Sequence, residues 1–296
     1  RSRREPTAAA RLASAPDAPQ EDVGERDRDV AGREALVTFA DAQPQVRVVV
    51  HAEPRERGES RVDVAELTGV DAGPQHRLDP LLVAAAAPPE LLGPLACGVQ
   101  TGAGAVMNAL RVPAGASFAV FGAGSVGLSA VMAARVAGAT TIVAIDLHDE
   151  RLDFARSVGA THTLNPSRDD VVASLVALTG YGIDYALDTT GLAKVIRQAA
   201  GSLAPRGTCG VLGASAPGTE IVLDEVHFMS GGRRLMGIVE GESDPDTFIP
   251  ALIELHRQGR FPFDRMVKFY PLDEINTAIA DSLEGRTIKP VVRMEA

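Results

Sequence analysis

Three glycines spaced as GAGSVG, residues 122–127, and a carboxylate at Asp146, 19 residues beyond the last of them, form the pattern best suited to chemistry in this chain. Alone, a GxGxxG match is weak in a chain with 29 glycines. Here it follows an apolar run, SFAVFG, opens a helical one, SVGLSAVMAARVAG, and is answered by Asp146 at the end of TTIVAID. That context predicts a cradle for the pyrophosphate of a dinucleotide. Gly122 permits the tight turn, Gly124 lets backbone N–H groups approach the phosphates, and Gly127 lets helix and strand pack closely. The helix opening at Ser125 adds unpaired N–H donors and a partial positive charge. Asp146 can accept hydrogen bonds from both hydroxyls of an adenosine ribose and would repel a 2′-phosphate, so NAD is expected rather than NADP. A second reading of Asp146 is an N-cap for the helix DERLDFA.

Just upstream lies GPLACGVQTGAGAVMNAL, residues 93–110, with Cys97, one of only two cysteines. Its thiolate could hold a metal ion, although a lone cysteine is more commonly a small buried hydrophobe. Cys209, in the strand-like run GTCGVLG, has the features of plain core. Two cysteines cannot build a disulfide framework or a four-cysteine zinc lobe.

The elements that must position these groups alternate regularly from about residue 85. Strand-like SFAVFG, TTIVAID, THTLN, IDYALDTTG, GTCGVLG and RRLMGIVEG are separated by helical stretches. Glycines fall at the helix ends (Gly138, Gly159, Gly180), and Pro205 marks a turn. Such alternation implies right-handed βαβ units and an α/β, doubly wound parallel-sheet Rossmann domain. After it come a helix (DTFIPALIELHRQG), a strand (MVKFY), a helix (DEINTAIADSLEG) and a strand (KPVVRM). The expected organisation is a disordered or non-homologous region over 1–84, an NAD-binding Rossmann domain over 85–259 and a C-terminal segment over 260–296 that would pack on the catalytic domain.

Composition narrows the class. Hydrophobic residues at 45% suit a globular protein, and the longest unbroken apolar run considered for a membrane span, LLVAAAA, stops at Pro88. A net charge of −10 argues against general nucleic-acid or anionic-membrane binding. The expected setting is the cytoplasm. Residues 1–84 are highly charged, with Phe39 as their only aromatic, a composition that favours disorder over a packed core. EALVTFA and VRVVVHAE could be strands there, but a lone pair is marginal. The chain starts at Arg1 rather than Met, as expected of a fragment or processed product, and acids from Asp17 onward argue against a transit peptide.

From about residue 89 to the C-terminus the chain resembles the zinc-dependent medium-chain alcohol dehydrogenases, especially the aryl-alcohol (benzyl alcohol) group. The resemblance rests on ELLGPLACGVQTGAGAVMNAL, on FGAGSVGLSAVMAARVAGATTIVAIDLHDERLDFARSVGATHTLNP, and on VEGESDPDTFIPALIELHRQGRFPFDRMVKFYPLDEINTAIADSLEGRTIKPVV. It implies that Cys97 is the last of three protein ligands to a catalytic zinc, that Thr101, one helical turn on, packs on the nicotinamide, and that Val126 lies behind that ring. It further implies that Arg151 contacts the adenosine ribose, that Lys289 reaches the pyrophosphate, and that Leu212, Ala214 and Val239 line the nicotinamide pocket. The segment after 260 would then be the C-terminal part of a GroES-like catalytic domain. The implied partners are a small alcohol or aldehyde and further copies of the chain, as a homodimer or homotetramer through the edge strand around RRLMGIVEG.

In that family zinc polarises the alcohol oxygen, so an alkoxide can expel hydride onto the nicotinamide. Such zinc takes three protein ligands and leaves a fourth position for substrate. The family's other ligands, a cysteine and a glycine-flanked His-Glu pair, lie upstream, and this sequence has neither. No cysteine precedes Cys97, and the upstream histidines, His51 and His76, lack the motif. His148, His162, His227 and His256 are expected to be solvated and remote from Cys97. Cys97 is thus expected to be an orphaned ligand.

Residues 1–84 are then either a divergent catalytic domain or, as the abrupt change in composition favours, a wrong-frame translation or unrelated sequence joined before LLVAAAAPPELLGPL. The resulting expectation is a coenzyme-binding alcohol dehydrogenase for aromatic or apolar primary alcohols, with little turnover by this exact chain. Alternatives are a zinc-free quinone or enone reductase and a non-catalytic dinucleotide-binding remnant. Asp146 and the aryl-alcohol-type C-terminal stretch count against the reductase.

Overall fold

The computed structural model describes residues 88–294, together with the strand residues Val62–Asp63 and Arg77–Leu78, which pair antiparallel. The expectations for residues 1–61, 64–76 and 79–87, including both strand-like runs, His51, His76 and LLVAAAA, lie outside the described residues. All described residues belong to one compact unit, Glu59–Ala296.

Its centre is a six-stranded parallel sheet of β1 (Ser117–Phe121), β2 (Thr141–Ile145), β3 (His162–Leu164), β4 (Ile183–Asp188), β5 (Leu203–Val211) and β6 (Arg234–Gly237). The spatial order is β3-β2-β1-β4-β5-β6. The order therefore reverses between β1 and β4, the switch point at which open α/β sheets place their ligands. β1 explains why the centre reads as an unbroken apolar run. Phe118 and Val120 enter one core cluster, Ala119 and Phe121 the other, so successive side chains are buried on opposite faces. Each large side chain buried in this way contributes roughly 1.5–3 kcal/mol.

Helices α2 (Ser125–Ala137), α3 (Asp149–Val158), α4 (Val171–Thr179), α5 (Ala193–Gly201) and α6 (Glu225–Gly231) connect the strands. The expected stops at Gly138, Gly159 and Gly180 hold, with φ of 86°, 136° and 84°. Pro205 is not in a connecting turn. It lies inside β5, where Arg206 takes φ 68° and the register with β4 shifts between Ile183 and Tyr185. The strand starts early and bulges, and the proline falls where no ladder donor is needed. Helix α6 carries no clear apolar period and has no fully buried side chain, which is why the sequence gives no sign of it.

Ahead of the sheet runs α1, built from Leu92–Pro94, Leu95–Val99, Gln100–Gly104 and Ala105–Ala109, the second and fourth pieces being wider π-helical turns. Leu95, Val99, Ala103 and Val106 are fully buried along one stripe. After the sheet, α7 (Pro245–Arg257) leads into β7 (Val267–Pro271), α8 (Ile275–Leu283) and β8 (Lys289–Arg293), and β7 pairs parallel with β8. This segment is anchored on the main core: Phe261, Phe263 and Met266 are buried in it, and Val267, Phe269 and Ile288 pack against it.

Candidate coenzyme site

β1 ends at Phe121, and the chain turns at Gly122 with φ 100°, a backbone that L side chains resist. A Cβ on Gly122 would meet the Thr189 side chain, and one on Gly127 would collide with the Gly122 carbonyl oxygen. Gly124 is different: a Cβ there would meet nothing within 4 Å. Its backbone is open to an incoming group, as the pyrophosphate reading requires. Gly124 is the N-cap of α2 and provides no side-chain cap, and Leu128 N donates to Gly124 O at 2.9 Å. The N–H groups of Ser125, Val126 and Gly127 precede that bond and so are among the orphan donors of the helix start.

Asp146 is buried at the carboxyl end of β2. Its Oδ2 accepts from Ala123 N at 2.7 Å, inside the glycine turn, and its Oδ1 accepts from His148 N at 2.9 Å. The N-cap of α3 is His148, without a side-chain cap, so Asp146 fastens the glycine turn to β2 rather than capping the helix. A carboxylate retains further lone pairs after these two bonds, enough to receive ribose hydroxyls. Arg151 Nη1 lies 3.8 Å from Asp146 Oδ2, while its buried Nε has no hydrogen-bond partner among the described residues. An orphaned buried donor beside a carboxylate is what a ribose or phosphate oxygen would satisfy. Gly285, on the turn after α8, comes close to His148, a Cβ there lying 3.3 Å from Nδ1. The C-terminal segment therefore reaches the same end of β2.

On the other side of the switch point, Leu212 N donates to Asp188 O at 3.0 Å, so the loop after β5 starts on the carboxyl edge of β4. Ser215 Oγ donates to Gly191 O at 2.6 Å and keeps Ala214 on that edge, exposed. Val239, just past β6, is 79% exposed. Asp188 itself is buried. Burial pushes its carboxyl up, countered by donation from Thr190 Oγ1 at 2.7 Å and Gly191 N at 3.0 Å. Burial, and then the neighbouring Asp188 charge, push the Cys209 thiol up to about 12, consistent with its expected place in the core. Lys289 opens β8 opposite Val267 and is half-buried; no hydrogen bond or ion pair among the described residues ties it to the glycine turn.

Cys97 lies on α1 and is exposed, whereas Thr101, one turn on, is 7% exposed. Thr101 Oγ1 donates to Glu240 Oε2 at 3.0 Å. Helix α1 is held from two sides by its glycines. A Cβ on Gly102 would strike the Val126 carbonyl oxygen, and one on Gly98 would lie 3.3 Å from Ser125 Oγ. On the other flank a Cβ on Gly104 would strike Ser243 Oγ and lie 2.6 Å from Gly241 O. The Glu240–Glu242 turn lies there, with Glu240 and Glu242 both at φ 49° and Gly241 buried between them. Left-handed backbone at two non-glycine residues costs roughly 1–3 kcal/mol each and persists only under strong local constraint. The close Gly241–Gly104 backbone approach and the Asn108 Nδ2–Ser243 Oγ hydrogen bond, 3.1 Å, provide that constraint.

The described residues contain no group of three His, Cys, Asp or Glu side chains arranged to hold a metal ion. They fit a dinucleotide; Cys97 alone does not amount to a zinc site, and no step through a metal follows from them. Two histidines depart from the solvated expectation. His256 is half-buried with Nδ1 3.2 Å from Phe261 O, and Nε2 of His227 is buried without a partner among the described residues. Glu240 had no signal in the sequence, since 139 positions separate it from Thr101. The glycine spacing in GVQTGAG was legible as small residues one turn apart, but which flank they serve was not.

Comparison with known proteins agrees with this geometry. Residues 125–257 match the family model for zinc-binding dehydrogenases. The chain is 45% identical over 206 residues to geraniol dehydrogenase of Castellaniella defragrans, covering 69% of this chain and 55% of that protein. Benzyl alcohol dehydrogenase from Acinetobacter calcoaceticus superposes with a TM-score of 0.70 at 46% identity, over 71% of this chain and 58% of that one. An alcohol dehydrogenase zinc-binding domain protein from Burkholderia ambifaria gives a TM-score of 0.69 at 57% identity, over 70% and 56%. The chain thus spans a little over half the length of each of these relatives. Among the described residues, no helix is long and apolar enough to cross a membrane.

Proposed function

Residues 125–257 belong to the zinc-binding dehydrogenase family, and on that premise we propose that the chain is the coenzyme-binding part of an NAD-dependent alcohol dehydrogenase. The observation that carries the coenzyme reading is Asp146: it is buried at the tip of β2, bonded into the glycine turn, and paired with an arginine whose Nε lacks a partner among the described residues. In this reading Gly122, Gly124 and Gly127 with the N–H groups at Ser125 and Val126 hold the pyrophosphate, and Asp146 and Arg151 hold the adenosine ribose. Thr101, Val126, Leu212, Ala214 and Val239 frame the nicotinamide, and Lys289 adds positive charge near the phosphates. When bound, the coenzyme accepts hydride from the alcohol carbon. Cys97 occupies the ligand position inherited from the family, its exposed thiol facing away from the core. Geraniol and benzyl alcohol, named in two relatives, are both apolar primary alcohols, and such alcohols and their aldehydes are the substrate class proposed here. Assembly through the free edge of β6 and a cytoplasmic setting complete the reading.

Titration of the purified chain with NADH, NADPH and ADP-ribose tests it. NADH and ADP-ribose are expected to bind, with NADPH at least tenfold weaker, because a 2′-phosphate beside a buried carboxylate meets like charge. Asp146→Ala should narrow that preference and weaken NADH. Equal affinity for both coenzymes, or no binding of any, would refute the assignment. Oxidation of benzyl alcohol by this chain is expected to be slight, with zinc well below one per chain by metal analysis; robust chelator-sensitive turnover would contradict that.

A further inference from the structure

Glu240 is the polar partner of Thr101 and lies in the stretch VEGESD, where the family resemblance assigns it no role. Its carboxylate comes from the end of the edge strand: β6 ends at Gly237, Ile238 N donates to Val211 O at 2.9 Å, and the chain then laps onto α1. There the close approach of Gly241 to the Thr101 carbonyl and to Gly104 fixes the turn. The fixed, left-handed backbone at Glu240 orients the side chain so that Oε2 receives the Thr101 hydroxyl. A carboxylate is thus held beside the hydroxyl that, in the proposed function, lies against the nicotinamide. The nicotinamide ring is a cation when oxidised and neutral when reduced. A fixed negative charge a few ångströms away attracts the first form and is indifferent to the second.

We propose that Glu240 is a specificity-determining residue of the coenzyme site, its carboxylate beside Thr101 favouring the oxidised, cationic nicotinamide over the reduced, neutral ring. This rests on the coenzyme reading above and adds redox-state selectivity to it. Because Glu240 is exposed, solvent screens its charge and the effect is a modest one.

The test is calorimetric titration of the full chain and its Glu240→Gln and Glu242→Gln variants with NAD+, NADH and ADP-ribose. Glu242 shares the strained turn but not the Thr101 bond, so it controls for general loss of charge. Glu240→Gln is expected to weaken NAD+ about three- to fivefold while NADH and ADP-ribose stay within error; Glu242→Gln should shift none of the three. Added salt should lower the wild-type ratio of NAD+ affinity to NADH affinity, a measurement independent of any variant's folding. An unchanged NAD+/NADH ratio in Glu240→Gln, an equal loss for all three ligands, or a wild-type ratio indifferent to salt would overturn the inference alone. A wild-type chain that binds none of the three would overturn the coenzyme reading and this inference with it.

Discussion

In the proposed function, the residues that hold the coenzyme act through backbone geometry as much as through charge. Gly127 shows this most sharply. Its missing Cβ is where the Gly122 carbonyl passes, and neither partner is a flexible side chain. Gly127→Ala is therefore expected to lower stability by about 2–3 kcal/mol, within the range of overpacking, and to abolish NADH binding. A thermal melt read beside a titration checks both, and an alanine variant that binds NADH normally would contradict the close packing. At this scale the sequence was informative where one residue type has one physical use. The glycines at 122, 124 and 127 and the acid at 146 announce themselves by spacing, and the structure places Asp146 Oδ2 2.7 Å from Ala123 N. It was silent where function depends on a long-range meeting. Nothing in VEGESD tells that Glu240 answers Thr101, and nothing in GRTIKP tells that Gly285 lies against His148.

At the level of elements, the parallel sheet was legible because buried strands are apolar on both faces and three connecting helices end at Gly138, Gly159 and Gly180. What escaped notice were elements without a period of their own: helix α6, the bulge at Pro205–Arg206, and the alternation of α and π turns in α1. The last follows from packing, since Gly98 and Gly102 must face α2 while Gly104 faces the Glu240–Glu242 turn. Gly102→Ala should separate α1 from α2, because its Cβ would meet a backbone carbonyl that cannot rotate away. The expected result is a loss of about 1–3 kcal/mol in denaturant unfolding, together with weaker NADH binding. Gly93→Ala, where a Cβ meets nothing within 4 Å, is the matched control and should be close to neutral.

At the scale of the whole molecule, the segment after 260 is tied together internally by one carboxylate. Asp281 accepts from Tyr270 at 2.6 Å, from Lys268 at 3.1 Å and from Arg286 Nε at 2.9 Å, and Tyr270 also meets Thr287 at 2.6 Å. The Tyr270 hydroxyl first, then Lys268 and Arg286, hold its carboxyl well below the usual carboxylate range. A depressed folded-state value means the stabilisation is complete above the unfolded value of about 3.9 and is lost as pH falls below it toward the folded one. Melting temperature should therefore fall between about pH 4 and pH 2, and Asp281→Asn should melt lower at neutral pH with a flatter acid limb. Parallel acid limbs for the two proteins would show that the network contributes nothing. The two-sided grip on α1 has a mechanical consequence at the same scale. With main-chain atoms touching on both flanks, no compressible layer separates the glycine turn, the thiol-bearing helix and the acidic turn opposite. A few tenths of an ångström of travel at one of them has nowhere to dissipate. Cys97 and the glycine turn thus keep a constant spacing, and any third body that completes chemistry at the thiol must be cut to that gauge.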